Sequence, residues 1–131
     1  MRSLQFITGL LPILITSSLA HADILGGPIT NAANGHIYFL LTSNTWTASE
    51  AEAVTLGAHL ATINDAAENQ WVFDNFSNFG GTSRQLWIGL NDLQQPGQFV
   101  WSSGQPVTYA NWAPGEPNFV GEMDPKIRTS S

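Results

Sequence analysis

The chain has 131 residues, no cysteine and a formal net charge of −6 at pH 7. Its four basic residues cannot form a surface for phosphate backbones or anionic lipids, so we expect no nucleic-acid partner. The absence of cysteine excludes thiol chemistry, and an exported domain without disulfides favours a bacterial source. The surplus of carboxylates suits a cation such as calcium.

The first 22 residues have the organisation of a secretory signal peptide. Arg2 precedes an apolar run, Phe6 to Ile15, which is too short to span a bilayer, and Ala20-His21-Ala22 matches a cleavage site. A core helix is the alternative, but Pro12 would interrupt it. We therefore expect residues 1–22 to be removed and the chain to be secreted or to lie in a periplasmic or extracellular space. No later stretch is long enough for a membrane span.

The segment that follows predicts a loose lead, a strand and a helix. Residues 23–34 are rich in Gly, Pro and Asn and show no periodicity, so we expect an irregular N-terminal lead. The apolar run His36–Leu41 has the length of a strand. Thr47 and Glu50 have the spacing of a capping box, which predicts a helix that starts at Thr47 and ends at Gly57.

A second short strand and a second helix come next. Residues 59–63 are apolar and predict a strand or an extended segment. Asp65 predicts the N-cap of a helix, and Gly80-Gly81 predicts its end. Glu68 and Asp74 are expected on the solvated face of this helix.

The last third of the chain changes to short strands and a long loop. Residues 86–90 and 99–101 predict strands on either side of a turn at Pro96-Gly97. Residues 102–118 read as a loop that carries large aromatic side chains, so we expect it to be fixed to the body of the domain and to be functional. The order of the elements indicates an α+β fold.

Oxygen-bearing side chains at the end of this loop are candidate calcium ligands. Glu116 and Asn118 flank Pro117, and a cis bond before the proline would present both to one ion. Glu122 and Asp124 are close enough in sequence to add a carboxylate. The alternative is an ordinary solvated turn, because Gly-Glu-Pro-Asn is common turn chemistry.

We expect no enzymatic activity. No His-Glu-x-x-His, Gly-x-Ser-x-Gly or phosphate-loop pattern occurs in the sequence. His36 and His59 flank apolar runs, which favours hydrogen-bonded structural histidines over catalytic bases or metal ligands.

Residues 35–118 resemble the C-type lectin-like domain family in the order and spacing of their motifs. The matching segments are Trp46, Glu50, Gly57–Ile63, Glu68-Asn69, Leu86–Leu90, Gly97–Trp101, Pro106, Tyr109, Asn111-Trp112 and Gly115–Asn118. The resemblance implies two helices, small antiparallel sheets and a long ligand-binding loop. It further implies that Glu116 and Asn118, the ends of a Glu-Pro-Asn (EPN) motif, coordinate Ca²⁺ and hydrogen-bond vicinal hydroxyls of a mannose-type sugar.

Departures from the family pattern limit this interpretation. Ala53 stands where animal members place a helix cysteine, so packing between helix and strand has to replace that disulfide. No Trp-Asn-Asp strand follows the loop, and residues 125–131 form a polar tail without a counterpart in the family. The resemblance therefore covers a partial domain, residues 35–124, truncated at the C-terminus. The family's last strand pairs with its first, here Ile37–Leu41, so we expect an unpaired edge.

These observations predict a secreted, calcium-dependent, carbohydrate-binding lectin-like module that is impaired by the truncation. Its metal ligands would be Glu116, Asn118 and Glu122, and calcium would bind weakly because so few side chains remain. Glu116 and Asn118 would contact the carbohydrate or glycoconjugate. The alternative is a calcium-independent lectin-like domain that binds a protein. We do not predict the family's auxiliary calcium at Asp92.

Overall fold

The computed structural model describes residues 2–7, 24–112 and 114–116, and only the backbone of residues 2–7. These parts contain seven strands, two α-helices and a 3-10 turn. The strands are β1 Arg2–Ile7, β2 Ile24–Thr30, β3 Ile37–Ser43, β4 His59–Leu60, β5 Leu86–Trp87, β6 Leu90–Asn91 and β7 Val100–Trp101; the helices are α1 Trp46–Thr55 and α2 Ala66–Phe76, and the turn is Phe79–Gly81. The predicted α+β class is confirmed. No helix within these ranges is long and apolar enough to cross a bilayer.

Two sheets organise the fold. The larger has the order β2-β3-β1-β4, with β5 paired to β1, and the smaller is the antiparallel pair β6-β7. Strand β1 runs antiparallel to β3 and β4 and parallel to β5. The strand predicted at His36–Leu41 is therefore present as β3, but it is a central strand.

The expectation that Ile37–Leu41 lies unpaired at a sheet edge is wrong. Strand β3 pairs with β2 on one side and with β1 on the other. Its second partner, Arg2–Ile7, belongs to the segment predicted to be a signal peptide. Removal of residues 1–22 stays a prediction, because β1 is described here in the uncut chain.

The expectation of a loose lead over residues 23–34 is wrong for most of that segment, since Ile24–Thr30 forms β2. Glycine allows this strand to lie against its neighbours. A Cβ on Gly26 would run into the ring of Phe79, and a Cβ on Gly27 would lie 2.6 Å from the carbonyl oxygen of Tyr38. The glycines that suggested a loop are thus needed where β2 packs closely against the Phe79 ring and against β3.

Both predicted helices are present, but one N-cap and one end are corrected: α2 ends at Phe76, and Gly80-Gly81, its predicted end, lie in the 3-10 turn. Thr45 caps α1, because its hydroxyl accepts from the backbone N–H of Ala48 at 3.2 Å, so the predicted cap at Thr47 is two residues too late. Gly57 follows the end of α1 with φ of 78°, as a helix terminator does. The Asp65 cap of α2 is confirmed by a 2.8 Å bond from the N–H of Glu68.

One cluster of buried side chains joins the sheet to α2 and to the smaller sheet. Its members are Tyr38, Leu40, Ala61, Ile63, Val72, Phe76, Ile88, Leu90 and Trp101. The run predicted as one strand, residues 86–90, is two strands in different sheets, separated at Gly89. A Cβ there would lie 2.7 Å from the carbonyl oxygen of Leu60 and 2.6 Å from Oγ of Ser102, which only glycine avoids.

Candidate functional site

The long loop begins at the smaller sheet and is fixed there by polar contacts. The N–H of Ser102 donates to the carbonyl of Gly89 at 2.9 Å, which joins the start of the loop to the β5–β6 segment. The hydroxyls of Thr62 and Ser103 lie 2.6 Å apart, and Thr62 is buried. The first turn of the loop therefore has a fixed position on the core.

Aromatic packing fixes the loop a second time, near its far end. The rings of Phe99 and Trp112 meet edge to face with centroids 4.7 Å apart. Tyr109, Trp112 and Phe99 are partly buried against the core cluster. The prediction that large aromatics fix this loop to the body is confirmed, and the loop is therefore supported as far as Trp112.

Glu116 is the one predicted site residue that the described part of the chain includes. It follows Gly115, whose φ of 88° requires a residue without a Cβ, and its side chain is half-buried. Pro117, Asn118 and Glu122 lie outside the described residues. Glu116 thus lies four residues after the packed ring of Trp112, and its role as a ligand stays a prediction.

The donor chemistry at this position fits calcium in kind. A carboxylate such as that of Glu116 is a preferred oxygen ligand, and calcium takes six to eight oxygens. Among the described residues no group of three or more His, Asp or Glu side chains could hold a metal ion. The remaining oxygens would have to come from Asn118, Glu122, backbone carbonyls and water. Asp92 is used elsewhere: its Oδ2 accepts from the N–H of Gly97 at 2.9 Å.

A buried carboxylate, Glu68, organises a second polar cluster that the sequence did not predict. Its Oε1 accepts from the hydroxyl of Tyr38 at 2.5 Å and from Nδ2 of Asn34 at 3.0 Å, and its Oε2 accepts from the N–H of Asn64 at 2.7 Å. Only 4% of Glu68 is exposed. The expectation that Glu68 lies on a solvated helix face is therefore wrong, whereas Asp74 is exposed as predicted.

The cluster around Glu68 is built to hold strands and helix together. Burial, followed by the hydrogen bond to Glu68, raises the pKa of Tyr38, so its hydroxyl remains a proton donor across the physiological range. The pair thus links β3 to the first turn of α2. One sequence feature could have indicated the position of the Glu68 side chain. Glu68 comes three residues after the Asp65 cap, and a side chain at that position reaches back toward the start of the helix.

A second carboxylate attaches α1 to β4. The two oxygens of Glu50 contact Nδ1 of His59 at 2.6 Å and the backbone N–H of Leu60 at 2.9 Å. This confirms a structural role for His59. Ala53, at the position of the family's helix cysteine, is fully buried on the same helix, so packing and the Glu50 contacts hold α1 where the resemblance would place a disulfide.

Comparisons with known proteins agree with this architecture. The family model for the lectin C-type domain matches residues 42–124. Ladderlectin from Oncorhynchus mykiss is 36% identical over 89 residues, which are 68% of this chain and 47% of ladderlectin. The alpha-N-acetylgalactosamine-specific lectin of Patiria pectinifera is 35% identical over 98 residues, 70% of this chain and 58% of that lectin. The chain thus spans about half the length of these relatives.

Among solved structures, the C-type lectin CEL-I from Cucumaria echinata is similar with a TM-score of 0.59 and 28% identity, over 77% of this chain and 74% of CEL-I. These relatives are eukaryotic, so the expectation of a bacterial source has no support. Their names describe lectins, which are binding proteins and not enzymes. The two helices, the small antiparallel sheets and the match over residues 42–124 place this chain in the C-type lectin domain family.

Proposed function

We propose that this chain is a carbohydrate-binding module whose ligand site lies at the end of the long loop and depends on calcium. The observation that carries the proposal is that this loop is held at two places. At its start, Ser102 is hydrogen-bonded to Gly89. Near its end, the ring of Trp112, which is four residues before Glu116, packs on Phe99. Such contacts support the loop that carries Glu116 before a ligand arrives, which lowers the entropic cost of binding.

The ligand atoms would come from the EPN motif. Glu116 and Asn118 would hold Ca²⁺ together with Glu122, and the bound ion would supply positive charge to sugar hydroxyl oxygens. The Glu116 carboxylate accepts a hydrogen bond from one hydroxyl, and the Asn118 amide donates one to its neighbour. Glu-Pro-Asn favours a mannose-type arrangement of hydroxyls, which distinguishes this chain from relatives whose names give galactose or N-acetylgalactosamine specificity.

Calorimetric titration tests this proposal. Calcium is titrated into the chain first, and mannose follows with galactose as the comparison sugar. We expect a calcium dissociation constant on the order of 10⁻⁴ to 10⁻³ M, the range of extracellular modules, because few side-chain ligands are available. Glu116→Gln should weaken calcium and mannose binding at least about tenfold. Asp74→Asn is the matched control, since Asp74 is an exposed carboxylate on α2. Absence of calcium heat, or equal binding by Glu116→Gln, contradicts the proposal.

Export is part of the same proposal. Residues 1–22 would act as a signal peptide, residues 35–124 as the lectin domain and residues 125–131 as a polar tail, in a secreted or extracellular protein. Expression in a secreting eukaryotic cell, with the intact mass of the product in the medium, tests this directly. An intact mass equal to that of a chain starting at Asp23 supports cleavage and export. Retention of the full-length chain inside the cell contradicts them.

A calcium-independent, protein-binding lectin-like domain is the second candidate. It is favoured by three large apolar side chains on the β6–β7 hairpin and the loop after it: Leu93, Val100 and Val107 are 42%, 43% and 41% exposed. Exposed apolar side chains suit a protein partner better than a sugar. Val100→Lys separates the two candidates, because it should leave the calcium and mannose titrations unchanged while a protein contact made by Val100 would be lost.

A further inference from the structure

Strand β1 holds the larger sheet together. It is the neighbour of β3, of β4 and of β5, and in the described part of the chain neither β4 nor β5 forms a ladder with another strand. Without Arg2–Ile7, the pair β2-β3 would share no backbone hydrogen bonds with β4 or β5. The sheet therefore depends on a segment that lies outside the family match at residues 42–124.

The register shows that β1 uses both of its edges. Against β3 it runs from Ile7 opposite Ile37 to Arg2 opposite Ser43, with one irregularity between Arg2 and Leu4. On its other side, Gln5 and Phe6 pair with β4, and Arg2 and Ser3 pair with β5. A strand that is paired on both sides is a central strand, and its N–H and C=O groups satisfy two neighbours at once.

The space between β3 and β4 accepts one strand and no more. Paired strands lie about 4.8 Å apart, so two pairings separate β3 from β4 by roughly 9.6 Å. The residues that flank this space are in the interior: Tyr38, Leu40 and Leu60 are fully buried. Because unpaired backbone groups in such surroundings are costly, an empty space here would be unstable.

We propose that the space between β3 and β4 is a strand-acceptor site, and that Arg2–Ile7 of the same chain is its occupant. The occupant has a strand-like sequence, since Ser3, Leu4, Gln5 and Phe6 alternate polar and apolar residues. This assignment is independent of the calcium and sugar chemistry at Glu116, and it concerns the opposite end of the sequence.

The chain between the strands is long enough for an intramolecular connection. Residues 8–23 join Ile7, beside Ile37, to Ile24, beside Leu41. That path crosses two strand spacings and about four residues of strand length, roughly 16 Å. The linker can extend to about 50 Å. Because a tethered segment has a high effective concentration, the chain's own strand is favoured over that of a second copy.

The acceptor site has a consequence for export. A cut after Ala22 would remove the occupant, and the facing edges of β3 and β4 would lose their shared partner. The cut chain should then be less stable than the uncut chain and should associate through these edges. The predicted leader thus has a structural role before any cleavage.

Engineered cysteines test the occupant, because the chain has none of its own. Arg2→Cys with Ser43→Cys puts thiols on paired residues, whose Cα separation suits a disulfide. Arg2→Cys with Thr30→Cys is the control, since Thr30 pairs at the Ile37 end of β3, roughly 20 Å from Ser43 along the strand. In dilute full-length protein we expect an intramolecular disulfide in the first pair and none in the second. No disulfide, or only disulfide-linked dimers, overturns the proposal.

A proline scan provides a second readout in case the cysteine variants fold poorly. Gln5→Pro removes an N–H from the centre of β1 and should lower the thermal midpoint of the full-length chain by about 10 °C or more. Ser17→Pro lies in the same N-terminal segment but outside the strand and should shift it by less than about 2 °C. Equal shifts in the two variants overturn the proposal. The proposal is also overturned if the β3 amides exchange as slowly in a cleaved chain that starts at Asp23 as they do in the uncut chain.

Discussion

Replacement of Tyr38 by phenylalanine tests whether the buried Tyr38–Glu68 contact stabilises the fold. The change removes one hydroxyl and keeps the ring, so the ring packing against Trp71 and Phe76, with centroids 5.1 and 6.4 Å away, is retained. Glu68 also keeps two donors, Nδ2 of Asn34 and the N–H of Asn64. The variant therefore removes the bond that the hydroxyl donates to the Glu68 carboxylate, together with the longer 3.4 Å contact that it accepts from Nδ2 of Asn34.

The expected loss at pH 7 is about 2 kcal/mol of unfolding free energy. Hydrogen bonds to charged groups contribute roughly 1.5–3 kcal/mol, and the 2.5 Å contact between Tyr38 and Glu68 lies in an environment where both residues are almost fully buried. For a domain of this size, that corresponds to a thermal midpoint lower by roughly 10 °C. Urea denaturation followed by tryptophan fluorescence measures the free energy, and a temperature scan with the same signal measures the midpoint.

The same contact predicts a loss of stability at alkaline pH. Burial and the hydrogen bond to Glu68 raise the pKa of Tyr38 in the folded chain above its ordinary value of 10.0. The folded state therefore retains a proton that the unfolded state releases, so this contribution is complete below about pH 10 and falls as the pH rises further, by up to about 1.4 kcal/mol per pH unit. Tyr38→Phe should lack this slope between pH 10 and 11.5.

Tyr109→Phe is the control, because Tyr109 is the chain's other tyrosine and lies in the loop after β7. It should keep the alkaline slope of the unmodified chain. If Tyr38→Phe is as stable as the unmodified chain at pH 7 and both lose stability equally above pH 10, the hydroxyl–carboxylate bond does not stabilise this fold and the reasoning is refuted.

Four further changes can be measured by urea denaturation at pH 7. Gly27→Ala should cost about 2 kcal/mol or more, because φ is 100° and the new Cβ would lie 2.6 Å from a β3 carbonyl; Gly35→Ala, with φ of 75° and open space, should cost only about 1 kcal/mol. Glu50→Ala should cost about 1–2 kcal/mol through its lost bond to the N–H of Leu60, and equal stability would exclude that link. Asp65→Ala should cost about 1 kcal/mol as a lost N-cap, and no change would argue against the cap.

Local chemistry made much of the fold predictable. The Asp65 cap, the positive-φ glycine at position 57 and the apolar run of β3 depend on residues near each other in sequence, and each appears where its pattern places it. The Thr47 cap failed because Thr45, two residues earlier, offers the same hydroxyl chemistry, and the pattern alone does not choose between them. The aromatic loop was also predictable, since large apolar rings in a long loop need a surface to pack on.

The candidate site stays a prediction: of its three residues, only Glu116 lies in the described part of the chain, four residues after the packed ring of Trp112. Hydrogen bonds between residues that are distant in sequence were not predictable. Glu68 looked like a solvated helix residue until Tyr38, thirty positions away, was found to donate to it. The sequence alone determined the Asp65 cap, the helix terminator Gly57 and the strand and helix periods, because these are short-range properties of the chain. Only the tertiary structure decided that β3 is central and that Arg2–Ile7 lies beside it, because strand pairing joins backbone groups that no local pattern connects.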